Sequence, residues 1–238
     1  MRRTALPLLA LLAAFSVPAA RAADVPQVYV NDNELHYVGE LDGAANGRLF
    51  ALYDTLPEKP TVLSIRSRGG PVQHGMELGR WVRAHKLDIK VLEYCMSSCA
   101  NYVFPAAQHK TVSNFAVIGL HGGPGSGQFA FDAATQKMFD AMPPEQRSAM
   151  MDGLKATIKE QGDKEAAYLK EIGVRADYTT LGQQARYQQR MRPDNVAGWT
   201  YSAADFARMG VGDIAVINPP WRPGANFKKL SFEVLAVP

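Results

Sequence analysis

The 238-residue sequence has little cysteine: Cys95 and Cys99 are its only two. At most one intrachain disulfide can form. Two cysteines and a distant histidine make no recognised zinc spacing, so no metal site is expected. Long apolar runs are equally scarce, and beyond the N-terminus no stretch is long and apolar enough to span a bilayer. An excess of one charge is missing too. The formal net charge of +3 comes from 26 basic and 23 acidic residues. The first 22 residues hold Arg2, Arg3 and Arg21 and no acid, and setting them aside leaves 23 basic against 23 acidic residues. A neutral chain gives no electrostatic reason to expect nucleic acid or an anionic membrane as partner. Internal repeats and a second-domain boundary are also lacking. With 47% apolar composition, the chain can build one core of roughly 200 residues.

The N-terminus departs from the rest. Arg2 and Arg3 form a charged start, Leu6 to Val17 an apolar stretch, and Ala20-Arg21-Ala22 a small-x-small cleavage pattern. Residues 1–22 are read as a secretory signal peptide and residues 23–238 as a single domain, periplasmic or secreted and free of the membrane after cleavage. An uncleaved anchor is the alternative. No cysteine stands at the cleavage point, as a lipoprotein would require. Export bears on Cys95 and Cys99: an oxidising compartment favours a disulfide, and two reduced buried thiols are the alternative. So short a loop gains little from chain entropy. The value of the bridge is local, in fixing the turn it spans.

Along the chain, strands and helices alternate at short intervals. Strands are expected at Gln27 to Val30, Leu35 to Leu41, Thr61 to Ile65, Asp88 to Tyr94, Ala116 to Leu120 and Ile214 to Ile217, with a further one at Leu230 to Val234. Helices are expected at Ala44 to Leu56, at Val72 to about Lys86, and at Ser98 to Ala107, where Pro105 ends or kinks the last one. Gly122 to Gly127 reads as a mobile loop. An insertion over about 128–192 follows, with helices at Asp132 to Ala141, Glu145 to Ile172 and Asp177 to Arg190. Strand, helix, strand in close succession indicates an α/β fold with a mostly parallel sheet and right-handed crossovers.

The chemistry gathers at one expected sheet edge, where open α/β sheets place their sites. Ser98 follows a buried strand and opens a helix, so the Cys99 amide is a candidate oxyanion donor. Serine is also a common helix cap. Gly69 follows the preceding strand, and its amide is a second candidate donor; an ordinary strand-to-helix turn is the alternative. His121 ends another buried strand. An imidazole titrating near pH 6.5 suits a general base for a serine.

Jointly, Ser64-Ile65-Arg66-Ser67-Arg68-Gly69-Gly70, Cys95-Met96-Ser97-Ser98-Cys99-Ala100 and Gly119-Leu120-His121 resemble the Clp protease proteolytic subunit and the wider Clp/crotonase superfamily, above all its exported members with a paired-cysteine turn. The resemblance covers roughly Gly39 to His121 and returns at Tyr201 to Val211. It implies a spiral of ββα units, with Ser98 as nucleophile, His121 as base, and the Gly69 and Cys99 amides as oxyanion hole. Ser97 is the rival nucleophile. The acid expected a little before Ser202 is replaced by Val196-Ala197-Gly198-Trp199. Asp194 is the favoured orienting acid, with Asn195 and the more distant Asp177 as alternatives. A serine–lysine arrangement would need a buried lysine, and Lys155 and Lys159 fall on a polar helix face.

The expected function is an exported serine peptidase-like hydrolase with no cofactor, acting on a peptide or protein substrate through an acyl-enzyme. A non-catalytic peptide-binding module on the same fold is the alternative. Coenzyme-A chemistry, as in crotonases, is disfavoured by export. Assembly into homo-oligomers is common for the fold, but this sequence names no interface.

Overall fold

A computed structural model describes residues 25–128, 133–193, 195–224 and 230–238. The expected signal peptide lies outside the described residues. Strands β1 (Gln27–Asn31) and β2 (Glu34–Val38) form an antiparallel hairpin. Its turn puts Asp32 and Asn33 at φ of 50° and 58°, the left-handed region that these two residue types tolerate best. Helix α1 (Gly43–Thr55) is capped by Asp42, whose carboxylate accepts from the Ala45 amide at 2.7 Å. Strand β3 (Val62–Arg66), helix α2 (Val72–Ala84) and strand β4 (Asp88–Val91) follow.

The strand expected over Asp88 to Tyr94 divides at Leu92-Glu93, and the chain continues as β5 (Tyr94–Met96) in a different sheet. Next comes a π-helix, Cys99–Val103, running into the short α3 (Phe104–Ala106). Pro105 accounts for the irregularity. It has no N–H to donate back along the helix, and the Ala100 carbonyl instead accepts from the Tyr178 hydroxyl at 2.8 Å. Strands β6 (Lys110–Ser113) and β7 (Val117–Gly119) complete a second turn of the same spiral. The insertion holds α4 (Ala133–Asp140), the 29-residue α5 (Pro144–Ile172) and the short α6 (Ala185–Gln188). Strand β8 (Val196–Tyr201), helix α7 (Ala203–Arg208), β9 (Ile214–Ile217) and β10 (Ser231–Leu235) close the chain.

The result is a mixed α/β fold. Its large sheet runs β1-β2-β3-β4-β6-β9, parallel except for the first hairpin. Two parallel pairs, β5–β7 and β8–β10, form a second layer joined by reciprocal bonds between Leu120 and Trp199 at 2.8 and 2.7 Å. In β4-β5-α3 and again from β6-β7 into the insertion, the first strand enters the large sheet and the second the small one. This is the expected ββα spiral, and one continuous apolar cluster fills the space between its elements.

Three expectations on the elements need correction. Strand β6 went unforeseen because Lys110-Thr111-Val112-Ser113 offers one apolar residue in four, and its pairing comes from β4 and β9 on either side. Lys110 is itself buried, with Nζ donating to the Ala107 carbonyl at 2.9 Å. The segment Asp177 to Arg190 is mostly irregular, because Tyr178 and Leu181 both enter the core and Gly182 packs against the Trp199 ring. Strand β8 occupies the stretch where the resemblance places an acid.

Candidate active site

Strand β5 lies between the end of β3 and β7. The Ser67 amide donates to the Tyr94 carbonyl, the Met96 amide to the Ser67 carbonyl, and the Ser97 amide to the Gly119 carbonyl at 2.8 Å. The strand therefore stops at Met96 and the helix starts at Ser98, leaving one residue to turn the corner. That residue is Ser97, at φ +53°. A side chain larger than glycine is strained in this conformation, and here it stands out of the turn into a cleft. The Cys95–Cys99 disulfide closes the base of the corner, with both residues fully buried.

The imidazole of His121 meets Ser97, not Ser98. Its Nε2 lies 2.7 Å from Ser97 Oγ. Ser98 takes the helical conformation, is 3% exposed, and turns its hydroxyl back to donate to the Gly70 carbonyl at 2.7 Å. The hydroxyl facing His121 is thus one residue earlier than expected. Two adjacent serines gave the pattern no means to separate them. The available signal was the corner itself, since the residue between a strand end and a helix start is the one that projects.

The amides expected as oxyanion donors do not face the cleft. The Gly69 amide donates to Ser67 Oγ at 3.0 Å and is occupied. Neither Gly69 nor Cys99 lines the cleft, whereas Gly70 and Ser98 do, beside Ser97 and His121. The Ser98 amide opens the helix and so has no intrahelical acceptor. Neither it nor the Gly70 amide finds an acceptor among the described residues. Gly70 admits no side chain, because a Cβ would run into the Leu41 carbonyl.

His121 sits at the cleft mouth. Surrounding protein desolvates the ring and pushes its pKa below the usual 6.5, partly opposed by a hydrogen bond to its own backbone carbonyl. With Nε2 turned to Ser97, that bond falls to Nδ1–H, which is the tautomer that leaves Nε2 as an acceptor. Asp194, the favoured orienting acid, lies outside the described residues. Asp177 is held by Arg175 at 2.9 and 3.0 Å, and Asn195 reaches toward Ser231 Oγ. No described carboxylate forms an ion pair with His121. Lys155 and Lys159 are exposed, and Lys159 pairs with Asp163 at 2.6 Å, so neither supplies a buried amine.

The cleft encloses about 620 Å³ and is walled by Gly70, Val72 and Tyr102 on one side and Thr157, Ile158 and Gln161 of α5 on the other. A smaller cavity of about 250 Å³, lined by Met96, Gly119, Ala197, Leu230 and Phe232, shares only Ser97 and His121 with it. The pair therefore stands on the partition between two spaces. The glycine loop after His121, expected to be mobile, is tied down at Gly122, Gly123 and Gly125. Among the described residues no histidine, cysteine and carboxylate cluster could hold a metal ion, and no helix is long and apolar enough to cross a membrane.

No family model and no curated protein matches the sequence. Among solved structures, an enoyl-CoA hydratase from Thermoplasma volcanium is similar at a TM-score of 0.31 and 12% identity, over 42% of this chain and 52% of that one. The chain thus covers about half the length of that hydratase.

Proposed function

We propose that this chain is an exported serine peptidase-like hydrolase in which Ser97 is the nucleophile, His121 the general base, and the Gly70 and Ser98 amides the oxyanion hole. The observation that carries the reading is the 2.7 Å approach of His121 Nε2 to the hydroxyl of a serine held at φ +53°. In the reaction, Nε2 takes the Ser97 proton as Oγ attacks the substrate carbonyl. The two amides stabilise the resulting oxyanion, the imidazolium returns its proton to the leaving amine, and water then hydrolyses the acyl-enzyme by the same route. A peptide substrate suits a site with space on both sides of the reacting pair. A buried disulfide at the nucleophile's corner supports an oxidising compartment. The resemblance to exported Clp-protease-like proteins favours peptide bonds over esters.

Labelling with a fluorophosphonate probe tests the assignment. Intact mass and peptide mapping should show one adduct on Ser97, lost in both Ser97→Ala and His121→Ala. An adduct on Ser98 would refute the nucleophile assignment. No adduct in folded protein would move the weight to a peptide-binding module on the same fold.

A further inference from the structure

Glu165, on the long helix α5, is 2% exposed and forms no ion pair among the described residues. An isolated buried carboxylate is costly unless hydrogen bonds hold it, and here they do. The Tyr102 hydroxyl donates to Oε1 at 2.7 Å from the π-helix, and the Gly125 amide donates to Oε2 at 2.8 Å from the loop after His121. Gly123 of that loop lies so close that an added Cβ would collide with Oε1 and come within 2.8 Å of both Oε2 and Thr179 Oγ1. Asn101, next to Tyr102, donates to the Gly122 carbonyl at 2.9 Å. One carboxylate thus joins three parts of the site: the helix behind the nucleophile, the loop behind the base, and the insertion that walls the cleft.

We propose that Glu165 is a positioning residue that clamps the Gly122–Gly125 loop onto the π-helix and so fixes His121 against Ser97. The insertion is then part of the catalytic apparatus, acting through a group that touches no substrate. The proposal rests on the hydrolase reading for its kinetic consequence but not for its structural one. Besides Tyr102, the Gly125 amide and Thr179, the charged groups around Glu165 are Lys155, Lys159 and Asp163 of its own helix, which line the adjoining cavity with it.

The test combines titration of the His121 ring by NMR with the rate of fluorophosphonate labelling, in wild type, Glu165→Ala and Glu165→Gln. Freeing the loop admits water, so the His121 pKa should rise toward 6.5 in Glu165→Ala. Labelling should slow roughly 10- to 100-fold as the base loses its alignment. Glutamine should rescue both, because its oxygen can accept from Gly125 while the Tyr102 hydroxyl turns to accept from its amide. Gly123→Ala gives an independent route. Gly123 is extended, at φ −145°, so alanine adds no backbone strain; its Cβ presses on the Glu165 carboxylate and on Thr179 Oγ1 beside it, and it should reproduce the Glu165→Ala phenotype even where that variant fails to fold. A folded Glu165→Ala or Gly123→Ala protein with wild-type titration and labelling would overturn the clamp. Wild type that is never labelled would overturn the hydrolase reading, and the titration would still decide the clamp.

Discussion

Replacing both cysteines by alanine separates what the disulfide does for the fold from what it does for Ser97. The bridge spans a sequence separation of 4. Loop-closure entropy for so short a loop is worth about 2 kcal/mol. For a domain of this size that corresponds to a fall of about 4–8 °C in melting temperature. A domain stable by roughly 5–15 kcal/mol stays almost wholly folded after such a loss, so any fall in labelling rate must be local. The local term comes from Ser97 at φ +53°. A non-glycine residue in that region costs roughly 1–2 kcal/mol, which a cross-link closing the corner holds in place. Released, the corner should populate its reactive form about 5- to 30-fold less. Cys95→Ala/Cys99→Ala should therefore melt a few degrees lower and label more slowly by that factor at 25 °C. Labelling at the wild-type rate in the folded double variant would refute the idea that the bridge holds the corner. Both cysteines are buried, so the wild-type protein should resist mild reductant until it opens.

Two further outcomes follow from the same geometry. Ser98→Ala should keep its Ser97 adduct but lose about 0.5–1.5 kcal/mol, because the part-buried Gly70 carbonyl gives up the hydrogen bond from that hydroxyl. A melting curve run beside the labelling assay checks both halves, and loss of the adduct with unchanged melting would contradict the assignment. Labelling should also rise with pH through the titration of His121, reaching half its maximum below pH 6.5, since desolvation lowers that pKa. The sign for stability is the same. The unfolded chain binds the proton first, so the His121 contribution is complete above pH 6.5 and is lost as the pH falls toward the folded-state value. A half-maximum above pH 7 would show that the ring is not desolvated as described.

The ββα spiral was implied by the family resemblance alone, while the alternation of short apolar runs with helical spacing was enough to read the mixed α/β class and its mostly parallel sheet. The glycine pair, the serine turn and His121 were placed at one sheet edge for the same reason. Strand β6 was missed because its pairing partners, not its own composition, make it a strand, whereas β8 carries the strand formers Val196, Trp199, Thr200 and Tyr201 around Gly198. The one-residue offset between the expected serine and the one that meets His121 has a different origin. Pattern locates a turn, but which hydroxyl leaves it depends on a single backbone angle, and both residues have the same side chain. Glu165 was invisible in sequence. It falls among charged residues of a helix whose other face is solvated, and only the packing of α5 on α2 and the π-helix, with Tyr168 donating to the Tyr102 carbonyl at 2.6 Å, turns it inward.

The tyrosine hydroxyls that complete the π-helix have a consequence for timing. Tyr168 and Tyr178 lie 66 and 78 residues after the carbonyls they satisfy, and Glu165 lies 63 after Tyr102. Contacts of such long range form late, because the chain between must be ordered before they give anything back. A polypeptide emerging N-terminus first therefore carries its serine corner, its disulfide and its histidine strand well before the groups that fasten them together. The nascent chain has the serine corner and His121 but no assembled site until its final third arrives, so the order of synthesis delays completion of the cleft until the fold is nearly whole.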